Sequence, residues 1–352
     1  MDKYKVNEEH IIYLDVLRIF ATVGVILIHT ASNVMYSSDI FTFNWHVSNI
    51  ADSSVRWCVP VFAMISGVLF LDPDRAIQIK KLYTRNMLRM ITAFLFWTII
   101  YAFNPFSNHY FTWGRLVSGH YHLWFLFMIA GFYMTVPLLR EITKSEYMTK
   151  YFLALSFVFN ILANTFFGVI LPCFQSLGEN EIITALGKNY DNMHMDLLLG
   201  YSFYFVLGYY LSRRTFDRRI YLLFCAAAVA ACLVTILLTY TASVNKNAVW
   251  TSWYDYLSLN TMLESIGIFL FIKNAKIRCN SKQQTWISAI SRYTFGIYLV
   301  HVLILELLVQ EGVFISGNAL ISIPVLSIIV FLSSLVISVI MNRIPGIRRF
   351  VI

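Results

Sequence analysis

The chain is poor in charge: Asp, Glu, Lys and Arg make up only 13% of its 352 residues. That is about half the share of a water-soluble globule, so the soluble class is excluded. Paired cysteine motifs are also missing. Cys58, Cys173, Cys225, Cys232 and Cys279 form no CxxC pair and have no histidine at zinc-ligand spacing, which leaves neither a redox motif nor a metal site. Most of them lie in or beside apolar segments, where a free thiol behaves as a small hydrophobe. No Walker-type loop and no nucleophile elbow is present, nor is there an internal repeat or a low-complexity tract. The first apolar run is too long for a signal peptide, contains Arg18 and His29, and is followed by no small-residue cleavage site. Between apolar stretches the longest connection, around 172–193, is about 22 residues. A fused soluble catalytic domain is thereby excluded, and the chain reads as a single integral-membrane domain over 1–352.

What is present is apolar surface. Hydrophobic residues account for 58% of the chain, with 29 Phe and 21 Tyr, and the mean hydropathy is +0.65. Ten stretches approach the roughly 20 residues that cross a bilayer: 11–33, 47–71, 87–104, 121–139, 151–171, 194–212, 220–241, 255–273, 286–310 and 319–341. The expected fold is therefore all-α and polytopic. Basic clusters occupy alternate connections: Arg75 to Arg85, Arg140 to Lys150, Arg213 to Arg219, Lys273 to Lys282, and Arg343 to Arg349. By the positive-inside rule this pattern predicts ten spans with both termini cytoplasmic. The net charge of +8 is spread over these loops and forms no nucleic-acid patch; the surrounding partner is lipid.

Within the first stretch, Ile11 to Asn33, stand Arg18 and His29. Eleven residues at 100° each come within about 20° of three full turns, so both side chains share one helix face, about 16 Å apart along the axis. Asp15 and Thr22 fall near that stripe, whereas Phe20, Val23 and Leu27 point elsewhere. An intramembrane arginine faces a protein interior or a wet cavity, not lipid. A structural alternative for Arg18 is an ion pair with Asp15, which still leaves donors for a phosphate. For His29 the alternative to a titrating imidazole is a hydrogen bond to a neighbouring helix.

Depth follows from the predicted topology. One half of the bilayer gathers Arg18, Arg85, Arg89 and Arg292; the other gathers His29, Arg56, His122 and Glu306. Arg56 lies four residues before Pro60, which kinks its span. Arg85 and Arg89 suit either a phosphate or the positive-inside rule alone. His301 and Glu306 are about 140° apart around their helix and share no face. Trp124 and its aromatic neighbours suit interface anchoring. Unaided, these residues describe a polar path through a membrane, which fits a transporter or exporter of a small polar molecule or glycan as well as an enzyme.

Several motifs, in order, resemble the type 3 membrane acyltransferase family. LDVLRIFATVGVILIH, with ten residues between Arg18 and His29, is similar to its first-helix signature. RWCVPVFAMISG from Arg56 to Gly67 is similar to its second helix, and KKLYTRNMLRM to the basic start of its third. HLWFLFMIAGFYMTVPLLR, FYFVLGYYLSRR and RYTFGIYLVH resemble segments of the branch that O-acetylates surface polysaccharides. The resemblance implies a ten-helix bundle in the plasma membrane that moves an acyl group, commonly acetyl, from cytoplasmic acyl-coenzyme A to an extracytoplasmic glycan or lipid-linked precursor in a bacterial envelope. It implies His29 as general base or acyl carrier, with Arg56 or a neighbouring donor on the oxyanion and Glu306 orienting His29. Arg18, Arg85, Arg89 and Arg292 are then the candidates for the coenzyme A phosphates. His122 and Trp124 are candidates for acceptor contacts, and no metal is expected.

Overall fold

A computed structural model describes residues 12–104, 112–173, 180–193, 200–275, 277–313 and 317–352. The described residues form α1 (Ile12–Ser37), α2 (Phe43–Ser53), α3 (Cys58–Phe70), α4 (Leu88–Ala102), α5 (Trp113–Ser118), α6 (Trp124–Thr143), α7 (Glu146–Ser156), α8 (Glu181–Asn192), α9 (Ser202–Ser212), α10 (Arg218–Lys246), α11 (Leu259–Asn274), α12 (Ser281–Gln310), α13 (Ala319–Met341) and α14 (Pro345–Phe350). Local sequence sets many of the boundaries. Thr42, Asp217 and Asn318 accept backbone N–H groups at the starts of α2, α10 and α13, satisfying donors that a helix leaves free. Asn280 and Gln283 close a reciprocal capping box at the start of α12.

The all-α, polytopic expectation is met, but the count is not reached. Among the described residues, eight helical segments are long and apolar enough to cross a membrane. The two expected stretches that fall short have separate reasons. In 87–104, α4 supplies only 15 residues, and the helical lead-in that precedes it carries Lys80, Lys81 and Arg85. In 194–212, α9 covers 11 residues, and 194–199 lie outside the described residues. The second stretch is also broken: α2 ends at Ser53 and α3 begins at Cys58. Arg56 sits in that break, and Pro60 falls in the first turn of α3, where its missing N–H costs little.

The bundle is organised around α1, which packs against α2, α3, α12 and α13. Leu17, Ala21 and Ala31 on α1 are fully buried, whereas Phe20 and Val23 are exposed, as the helical phase predicts. The crossing of α3 and α9 depends on two glycines. A Cβ on Gly67 would stand 1.7 Å from the Phe205 carbonyl oxygen, and one on Gly208 would stand 2.2 Å from that of Met64. Close approach of this kind is how small residues join helices in lipid. On the periphery, α10 packs on α11 and leaves Leu223, Val229, Leu233 and Leu237 exposed, an apolar face suited to lipid. Arg140 of α6 donates to the carbonyls of Phe70, Asp72, Pro73 and Arg75, fixing the turn after α3.

Candidate active site

The face of α1 that carries Arg18 and His29 forms one wall of a cavity of about 350 Å³. Its walls are mostly apolar and aromatic, with Phe62 and Ile65 from α3 and Phe125 and Ile129 from α6. Polar groups gather where Arg18 and Arg89 stand and where His29 and His122 stand, so the cavity reads as a tunnel with polar ends. Arg18 donates to Asp15 at 3.2 Å, and Asp15 accepts the Ser291 hydroxyl at 2.7 Å. The expected ion pair is therefore present, and it still leaves Arg18 on the tunnel wall. Arg89 places its guanidinium over the Phe295 ring, 4.9 Å from the centroid, and its buried Nε has no hydrogen-bond partner.

At the arginine end the tunnel adjoins a vestibule of about 920 Å³, with Arg89, Met90 and Tyr133 on the walls of both. Arg85, Arg89, Arg343, Arg348 and Arg349 line this vestibule. The last two lie on α14, a helix tied back to α4 where Thr92 donates its hydroxyl to the Phe350 carbonyl. Five guanidinium groups around one space create a strong positive potential.

At the histidine end lies a third space, a polar basin of about 810 Å³. Ile28, His29, Tyr121 and Tyr256 line both the basin and the tunnel. Asp52, Arg56, Tyr201 and Asp255 are on the basin wall. Arg56 forms an ion pair with Asp52 and lies over the Tyr254 ring, 4.0 Å from its centroid. Asp52 also accepts the Ser32 hydroxyl at 3.0 Å. The buried charge is thus paired and hydrogen-bonded, the condition under which such a group is tolerated.

Four histidines converge beside this junction. The His301 ring lies 5.2 Å from His29 and 5.4 Å from His122, centroid to centroid. The Nδ1 atoms of His120 and His122 are 2.9 Å apart, and Nε2 of His120 is 3.1 Å from Glu306. Among the described residues no group of His, Cys, Asp or Glu is arranged to hold a metal.

The structure therefore gathers His29, Arg18, Arg89, His122 and Trp124 around the tunnel, Arg85 at its vestibule and Arg56 in the basin. Two candidates are placed differently. Glu306 gives its carboxylate to His120 and to Asn104, the latter at 2.6 Å, instead of His29, because it projects toward the α4 and α6 side of α12. Arg292 is exposed; the face of α12 that carries Ser291, Thr294 and Tyr298 turns inward and leaves Arg292 off the tunnel wall. Trp124 is more than an interface anchor, since its ring stacks near Tyr256 at 6.1 Å. Sequence reasoning left His301 apart from the site, because its helical phase was compared with Glu306 and not with His29 across the bundle. Arg348 and Arg349 were hidden among loop charges, and the His-x-His spacing at 120 and 122 was the one available signal for the pair.

Fold and site together define a membrane-embedded protein with a basic vestibule, an apolar tunnel and a polar basin that meet at an imidazole. The chain belongs to the acyltransferase 3 family: the family model described as an acyltransferase domain matches residues 11–343, nearly the whole chain. It is thus a membrane-bound member of a family of acyl-transferring enzymes. No curated protein and no solved structure matches it significantly.

Proposed function

We propose that the protein is an O-acyltransferase, with acetyl as the transferred group, that carries the acyl group from cytoplasmic acyl-coenzyme A to a hydroxyl of a cell-envelope glycan or its lipid-linked precursor. On this reading the chain is one domain of ten spans with both termini cytoplasmic, in a bacterial plasma membrane. The observation that carries it is the position of His29 on the wall shared by tunnel and basin. A donor and an acceptor that arrive from opposite sides can meet only at such a shared wall.

The chemistry of the spaces suits the two substrates. Coenzyme A has an anionic head and a thin pantetheine arm, which match an arginine-lined vestibule and a narrow apolar tunnel. Arg85 and Arg89 bind the phosphates, and Arg18 stands along the tunnel. The about 16 Å between Arg18 and His29 is a length that the arm spans. A glycan has many hydroxyls and apolar ring faces, which match the Arg56–Asp52 pair and the tyrosines of the basin. Arg56 is held by Asp52 and Tyr254, so it serves the acceptor rather than the oxyanion. His29 takes the proton of the attacking hydroxyl as its oxygen bonds to the thioester carbon. The carbon–sulfur bond breaks, and the thiolate remains in the tunnel.

The test supplies acetyl-labelled acetyl-coenzyme A to purified protein in proteoliposomes that hold a glycan acceptor. Label on the acceptor and release of free coenzyme A, both lost in His29→Ala, are expected. Movement of glycan across the bilayer without thioester cleavage would overturn the reading in favour of a transporter.

A further inference from the structure

The hydrogen-bond partners of three side chains determine which nitrogen carries each proton. The Glu306 carboxylate only accepts, so His120, 3.1 Å away, donates through Nε2–H. A neutral His120 then has its lone pair on Nδ1. The Nδ1 of His122, 2.9 Å away, must be the donor in that contact. A neutral His122 with its proton on Nδ1 therefore has a lone pair on Nε2. That Nε2 is buried without a hydrogen-bond partner. The nearby Leu299 carbonyl accepts the Tyr101 hydroxyl at 2.8 Å and makes no hydrogen bond with that Nε2. His122 itself lines the tunnel.

We propose that Glu306, His120 and His122 form a one-proton switch that presents His122 to the tunnel as a proton acceptor before acyl transfer and as a donor after it. The proposal rests on the acyl-transfer reading above. A proton that arrives on Nε2 of His122 lets its Nδ1 proton pass to Nδ1 of His120. His120 then carries two N–H groups and a positive charge against the Glu306 carboxylate. His122 is neutral again, but its Nε2 is now N–H. One proton has entered, and the unpartnered nitrogen has changed from acceptor to donor.

The reaction needs such a device. The hydroxyl proton is released to His29, and the thiolate of coenzyme A in the tunnel must be protonated before it departs. His301 stands between the rings of His29 and His122. Its Nδ1 donates to the Tyr298 carbonyl at 2.6 Å, which leaves a lone pair on its buried, unpartnered Nε2. The proton released at His29 reaches Nε2 of His122 within this cluster, and leaves from there to sulfur as the Nδ1 proton returns from His120. His122 is the group that meets the donor, whereas Glu306 and His120 are positioning residues.

The test is nitrogen NMR of the full-length protein, with histidine labelled and assigned by single substitution, in lipid nanodiscs near neutral pH. The expected pattern is protonation of His120 on Nε2 alone and of His122 on Nδ1 alone. In Glu306→Gln the amide can accept or donate, so both tautomers of each ring are expected, and kcat for acetyl transfer falls by about tenfold or more. KM for acetyl-coenzyme A stays within about twofold, and Glu306→Asp recovers part of kcat. Protonation of His122 on Nε2 in the unmodified protein, or an unchanged kcat in Glu306→Gln, would overturn the switch. The NMR measurement needs no substrate, so an intact pattern in a protein with no acyl transfer would instead fail the enzyme reading and leave the switch without its reaction.

Discussion

His29 and Tyr121 stand edge to face, with ring centroids 5.4 Å apart, and both line the tunnel and the basin. The two rings come from α1 and from the short turn before α6, so the partition between the spaces is built by parts of the chain distant in sequence. With Ile28 and Tyr256, these rings line the passage between the two spaces.

Replacement of His29 by Ala removes the imidazole at the partition. Because general base catalysis contributes about 10²–10⁴-fold, acetyl transfer is expected to fall by that factor. The protein should retain its thermal unfolding temperature, since the His29 ring is only half-buried. Transfer assays and thermal melts on the same preparation check both parts.

Tyr121→Ala opens the partition while keeping His29 itself. Water from the basin then competes with the acceptor hydroxyl. Acceptor-independent hydrolysis of acetyl-coenzyme A is expected to rise while transfer to glycan falls. Thiol release measured with and without acceptor separates the two reactions.

Arg89→Ala and the double change Arg348→Ala with Arg349→Ala weaken the vestibule without reaching His29. Each lost charge-assisted contact to phosphate raises KM for acetyl-coenzyme A by about tenfold, with kcat little changed. The effect should shrink at high ionic strength, which already screens the vestibule charges of the unmodified protein. Steady-state kinetics at two salt concentrations provide the check.

Gly67→Ala tests the fold apart from the chemistry. Its Cβ would meet the Phe205 carbonyl oxygen at 1.7 Å, so α3 and α9 must separate. Overpacking of this sort costs about 1–3 kcal/mol, and the unfolding temperature in detergent is expected to drop accordingly. An unchanged melt would show that the crossing is looser than described.

Much of the bundle was legible from composition and spacing. The apolar stretches at 121–139, 220–241, 286–310 and 319–341 each lie within a helical segment long enough to cross a membrane, and the described part of 11–33 does so from Ile12 onward. The shared face of Arg18 and His29 followed from 100° per residue and reappears as one cavity wall. The break at Arg56 was only partly visible, since Pro60 announced an irregularity that the chain places just before it. Glu306 was assigned to the wrong histidine because sequence spacing compares residues on one helix, whereas its partners His120 and Asn104 come from other segments.

The sequence by itself determined the membrane class, the helical phase of α1 and the order of family motifs, because hydropathy and periodicity are local properties of the chain. Only the tertiary structure decided that His301 joins His29, that Arg348 and Arg349 join Arg89, and that two spaces meet at one imidazole. Those juxtapositions depend on how helices rotate and cross, which is set by packing between distant segments such as Gly67 against Phe205. No residue carries that information alone.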